Sequence, residues 1–130
     1  MISFKILIIA TVLFLSQASD NLRTLANVDE IPNMYAFQQA LTRNHILVVD
    51  FFATWCGPCQ RIAPYYDYYA QTYTLAKFVR VDVDQARDVM EYAAITGMPT
   101  IIIYVDGQMK DRLVGGDWNR LKAMLDTWVR

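Results

Sequence analysis

The chain contains two cysteines, three residues apart in Trp55-Cys56-Gly57-Pro58-Cys59, directly after the apolar run Ile46-Leu47-Val48-Val49-Asp50-Phe51-Phe52. That run is short, apolar and rich in β-branched and aromatic residues, which predicts a buried strand. Gly57-Pro58 breaks it, and a helical pattern follows. Residues three apart on a helical turn lie roughly 5–6 Å from each other, inside the ~4.4–6.8 Å Cα window of a disulfide. The pair is therefore expected to close into a bond or open to a dithiol with little backbone motion. With Cys56 at the helix start, the unpaired N–H groups and dipole of the first turn stabilise a thiolate there.

Blander readings account for the pair less well. A structural zinc site usually takes four Cys or His ligands, and the chain adds only the distant His45. A purely structural disulfide over so short a loop removes little unfolded-state entropy. Two inert buried thiols fit poorly with a Gly-Pro turn beside an indole. A CxxC next to a βαβ pattern points to redox chemistry. Asp50 has two readings at this level. It is a strand-end carboxylate facing water, or a buried one whose proton affinity burial raises towards neutrality.

The N-terminus is a separate matter. Lys5 precedes the apolar stretch Ile6–Leu15, and Ser16-Gln17-Ala18 offers small residues where a signal peptidase reads them. This is the pattern of a signal peptide cleaved after Ala18, leaving one domain over residues 19–130. The stretch is short for a membrane span, which takes about 20 apolar residues. An uncleaved anchor is the second reading, and only then is a membrane involved; a core element of the fold is the third. The expected location is the secretory pathway or the extracellular side: ER lumen, periplasm or secreted. The C-terminal Asp126-Thr127-Trp128-Val129-Arg130 is not an ER-retention tetrapeptide. Formal net charge is −1 with charges scattered along the chain, so nothing argues for nucleic acid or an anionic lipid surface as partner.

The remaining pattern predicts the elements. Residues 24–30 form a short edge strand, and Pro32-Asn33 opens a helix to about Arg43 with Met34, Phe37 and Leu41 as its buried stripe. His45 falls in the turn before the central strand, without a catalytic part. A helix from Cys56 to about Tyr73 carries Ile62, Tyr66, Tyr69 and Tyr73 along one side, and Pro64 should kink it. Its tyrosines (65, 66, 68, 69, 73) divide between core and surface. Lys77–Val83 alternates as a strand; Asp84 caps a helix over 85–95 that Gly97 ends. Thr100–Val105 and Met109–Val114 make a hairpin about Asp106-Gly107. Asp117 caps a last helix with Trp118, Leu121, Leu125 and Trp128 on its apolar face. The order predicts an α/β fold, one mixed sheet with helices on both faces.

Val48 to Cys59 resembles the active-site segment of the thioredoxin family. The similarity continues through Ala36–Leu41, Val81-Asp82-Val83-Asp84, Gly97-Met98-Pro99-Thr100 and Val114-Gly115-Gly116, over roughly residues 25–130. The resemblance implies a thioredoxin fold and dithiol–disulfide exchange with disulfide-containing client proteins, with no metal or organic cofactor. It implies Cys56 as nucleophile, Cys59 as resolving thiol and Asp50 as the group that takes the Cys59 proton. Cys56 is then the exposed cysteine and Cys59 lies one turn inside. Thiol pKa values of about 3.5–7.5 are known for CxxC cysteines at helix starts, thioredoxins among them. The resemblance also implies a cis peptide at Met98-Pro99. Around it, Trp55, Gly57, Pro58, Gly97, Met98, Pro99 and Gly115 would form a flat apolar rim for an extended client segment. Arg80 departs from the family pattern, which commonly has lysine near the buried acid, and this leaves the partner of Asp50 open. Gly-Pro between the cysteines is the thioredoxin pair, at the reducing end of the known series, whereas a signal peptide leads to an oxidising place. The expectation is a monomeric disulfide reductase fed by a separate reductase or thiol donor. A disulfide oxidase or isomerase, and a non-catalytic client-binding subunit, are the alternatives.

Overall fold

The structure, a computed structural model, describes residues 4–25 and 28–130. Strand β2 (Ile46–Phe52) is the spine of a five-stranded sheet. Beside it lie β3 (Lys77–Asp82), parallel, and β4 (Thr100–Val105), antiparallel. The edges are β1 (Asp29–Glu30), parallel to β3, and β5 (Gln108–Val114), antiparallel to β4. The sheet order is β1-β3-β2-β4-β5.

Side chains of a strand alternate between faces, and along β2 this alternation sorts the core. Leu47, Val49 and Phe51 enter one layer, with Phe37 of α2 (Met34–Arg43) and Val89 of α4 (Arg87–Tyr92). Ile46 and Val48 enter the other, with Ile62 and Tyr66 of α3 (Gly57–Thr72) and Leu121 and Leu125 of α5 (Trp118–Trp128). All are buried, and each such aliphatic side chain contributes about 1.5–3 kcal/mol relative to exposure. By the same alternation Asp50 falls on the α3 face, beneath the helix that follows the first cysteine.

Most expected elements form; the edge strand and the helix after β3 are shorter than expected. The expected edge strand over 24–30 is only Asp29–Glu30; residues 24 and 25 end α1 (Phe4–Leu25), and residues 26–27 lie outside the described residues. Pro32, which has no N–H, follows the bond from Ile31 N–H to the Arg80 carbonyl at 2.7 Å and stops the pairing. Helix α1 runs unbroken past Ala18, since neither Gly nor Pro occurs before Pro32. Its apolar side chains from Ile6 to Leu15 are exposed, and no helix among the described residues is long and apolar enough to cross a membrane.

The helix expected over 85–95 spans only Arg87–Tyr92, and Asp84 does not cap it. The N–H groups of Gln85 and Ala86 both bond the Asp82 carbonyl, so a turn precedes the helix. It ends before Gly97 because Ala94 turns left-handed at φ 53°. Helix α3 starts at Gly57 and runs through Pro64 as a single element. Its tyrosines divide as expected: Tyr66 and Tyr69 are buried, while Tyr65 and Tyr68 are exposed. Tyr65 stacks on Trp118 with ring centroids 4.5 Å apart.

Candidate active site

Cys56 is the N-cap of α3, and its Sγ accepts the Cys59 N–H at 3.2 Å. The two cysteines are joined in a disulfide, with Cα atoms 5.3 Å apart as the spacing predicts. Exposure does not separate them in this oxidised form: Cys56 is 6% and Cys59 4% accessible. The expectation of an exposed leading cysteine is corrected here, because with the bond closed both cysteines belong to the buried cluster that holds Phe51, Ala53 and Val89. The helix is what distinguishes them. Cys56 Sγ occupies the site where dipole and first-turn N–H groups favour negative charge, while Cys59 lies inside the first turn.

Asp50 is buried, and the reading as a solvent-facing carboxylate is ruled out at 1% exposure. It shares a cleft of about 360 Å³ with Cys59, Ala63, Arg80 and Glu30. Burial pushes its carboxyl up from 3.8 to about 6, against the lowering effect of Arg80 and with a smaller raising effect from Asp67. Arg80 is therefore the partner that the sequence left open. The pairing is loose, however. Arg80 Nε stands 3.6 Å from Asp50 Oδ2, whereas Arg80 Nη2 donates to Asp67 Oδ1 at 2.8 Å. Tyr66 closes the floor of this region, its hydroxyl 2.7 Å from the Val79 carbonyl oxygen and 3.0 Å from that of Val48.

The residues expected to form the rim lie on the loop after β2 with the first turn of α3, before β4 and after β5, but Pro99 is buried beneath that surface and is not part of an exposed rim. Trp55 is 69% exposed and shares a cleft of about 290 Å³ with Met98, Val83, Asp84, Arg87 and Met90. The Met98-Pro99 peptide is cis. Gly115 N–H donates to the Pro99 carbonyl at 2.8 Å, and Gly97 lies against Val114. A side chain at Gly116 would meet the Pro58 carbonyl at 3.5 Å, so the loop after β5 runs beside the Gly57-Pro58 turn. The larger groove, about 780 Å³, lies at the opposite end of β2 and β4, where His45 pairs with Asp106. It has no part in the cysteine chemistry.

Sequence reasoning missed Asp67, and assigned Asp84 to the wrong task. A signal for Asp67 existed. Cys59, Ala63 and Asp67 recur every four residues, which puts them on one helix face.

A reducible cysteine pair capping a helix, above a buried carboxylate and beside an exposed apolar rim, defines a thiol–disulfide oxidoreductase. Comparison with known proteins narrows the class. The Thioredoxin family profile matches residues 20–127. Thioredoxin 1 of Plasmodium falciparum is 42% identical over 93 residues, 72% of this chain and 89% of that protein. Thioredoxin-2 of Saccharomyces cerevisiae is 41% identical over 99 residues, 75% of this chain and 95% of that protein. The solved structure of Plasmodium falciparum thioredoxin matches with a TM-score of 0.76 at 40% identity, covering 78% of this chain and 99% of that one. The chain belongs to the thioredoxin family. It is a protein-disulfide oxidoreductase that works by dithiol–disulfide exchange, with disulfide substrates on one side and a reductase on the other.

Proposed function

We propose that Cys56 is the attacking thiolate of this thioredoxin, Cys59 the resolving thiol, and Asp50 the group that takes the Cys59 proton. The observation that carries this reading is the N-cap position of Cys56, with its sulfur accepting a first-turn N–H. In the reduced protein the Cys56 thiolate attacks one sulfur of a client disulfide. A Cys56–client bond forms, and the other client sulfur leaves as a thiolate and takes a proton from water. Asp50 then accepts the Cys59 proton. The Cys59 thiolate attacks Cys56 Sγ, the internal disulfide forms, and the second client thiolate leaves and is protonated in turn. The client has gained two electrons and two protons, which a separate reductase or thiol donor restores to the protein. The cleft beside Trp55 and Met98 seats an extended client segment, whose backbone pairs with that of Met98 in strand-addition fashion.

The protein is further proposed to act, as a monomer, in the secretory pathway or outside the cell. Lys5 with the apolar Ile6–Leu15 and the small residues of Ser16-Gln17-Ala18 support this, as does a family match that starts at residue 20. Sequencing the N-terminus of the protein from its own cells should find Ser19 first; a mature chain retaining residues 1–18 overturns the cleaved-signal reading. The thiol roles are tested by trapping. Cys59→Ser should accumulate client proteins bound through Cys56 on non-reducing gels, and Cys56→Ser should not. Absence of client-linked species with Cys59→Ser counts against the assigned roles.

A further inference from the structure

Arg80 stands between two carboxylates. Its Nε faces Asp50 Oδ2 at 3.6 Å, and its Nη2 donates to Asp67 Oδ1 at 2.8 Å. The guanidinium is braced as well: Nη2 lies 3.4 Å from the Ala63 carbonyl oxygen, and Cζ sits 5.3 Å from the centre of the Tyr66 ring. The short bond thus goes to the more exposed carboxylate, 39% accessible, and the long contact to the one that is 1% accessible. Dielectric alone would favour the opposite, because charges attract more strongly where water is excluded. An arginine fork grips a carboxylate through both oxygens when it is free to do so. Here Asp50 Oδ1 has no hydrogen-bond partner among the described residues.

We propose that Asp67 is a positioning residue for the exchange reaction: it holds the Arg80 guanidinium on α3, prevents a two-pronged pairing with Asp50, and so leaves the buried carboxyl able to accept the Cys59 proton. The inference rests on the proton-transfer role given to Asp50 above. The titratable groups facing Asp50 in the oxidised protein are Arg80 from β3, Tyr66 and Asp67 from α3, and Glu30 from β1 across the cleft, and Cys59 joins them once the disulfide opens. Arg80 is the cation of the set, and its placement decides how far the carboxylate is stabilised. The grip of Asp67 on Arg80 and the charge of Asp67 act in the same direction, each raising the proton affinity of Asp50. Asp67 reaches this position because Cys59, Ala63 and Asp67 share one face of α3, while Asp50 and Arg80 are paired in register across β2 and β3.

The test is a titration of the Asp50 carboxyl carbon by NMR in the oxidised full-length protein, which needs no turnover. The wild-type midpoint should fall near about 6. Asp67→Asn should lower it by roughly half a pH unit or more, as the guanidinium closes on Asp50. Asp67→Glu should keep it near the wild-type value. In an Arg80→Gln background Asp67→Asn should move the midpoint much less, because the effect runs through the guanidinium. A midpoint that is unmoved or raised by Asp67→Asn overturns the proposal, and so does an equal shift with and without Arg80. The pH–rate profile of Asp50→Asn is read separately. If that profile equals the wild type, the role of Asp50 itself fails, whatever the titration shows.

Discussion

The Trp55 indole N–H donates to Asp84 Oδ2 at 2.8 Å. Trp55 is otherwise 69% exposed, so this bond fixes the direction of a large apolar ring at the rim of the disulfide. Asp84→Ala removes the acceptor without opening the core. A charge-assisted bond at an exposed site is worth about 1 kcal/mol, which corresponds to about a fivefold rise in KM for a protein client. The turnover number should stay close to wild type, and the unfolding free energy should fall by no more than about 1 kcal/mol, since the bond is made in the free protein. An unchanged KM would show that the ring keeps its place without the carboxylate.

Gly115 is the backbone hinge between β5 and the rim. It has φ +104°, and its N–H reaches the Pro99 carbonyl at 2.8 Å. Nothing lies within 4 Å of a Cβ built there, so the demand for glycine is conformational and not a matter of space. Gly115→Ala should cost about 1–3 kcal/mol in denaturant unfolding, the strain of a side chain in that region. Client reduction should slow with it as the Pro99 contact loosens. A loss below about 0.5 kcal/mol, the ordinary scatter of surface substitutions, would mean the loop re-forms around alanine.

Local pattern carried most of the fold and the centre of the site. The strand under the cysteines, the cysteine pair, the hairpin at Asp106-Gly107 and the buried stripe of α3 are all encoded within a few residues of themselves. Asp84 shows where that stops. Its sequence neighbourhood reads as a helix cap, but its carboxylate goes to an indole 29 residues away. The choice between cap and partner is made by how the loop after β3 meets the loop after β2. Arg80 is similar: only the register of β3 against β2 puts it opposite Asp50. Only the face of α3 then divides it between Asp50 and Asp67. The burial of Cys56 is likewise set by residues distant in sequence, since it belongs to the core cluster that also holds Ala86, Val89 and Ile95.

Asp50 links function to stability, with a sign that can be worked out. Burial raises its pKa from 3.8 to about 6, the Arg80 charge only partly opposing this. Between those values the folded chain binds more protons than the unfolded one, so stability falls as pH rises through the window. Below about pH 4 the contribution is fully present, and above the folded value it has been lost. A shift of that size corresponds to about 3 kcal/mol. Asp50→Asn cannot ionise, so the variant should gain on the wild type as pH rises from about 4 to about 7, by up to that amount. Urea unfolding of the oxidised proteins across this range measures it. The same substitution should slow client reduction at neutral pH, since the Cys59 proton then has no carboxylate to go to. A stability difference that does not change with pH would mean that Asp50 is ionised throughout the range, and the proton-transfer role would fall with it.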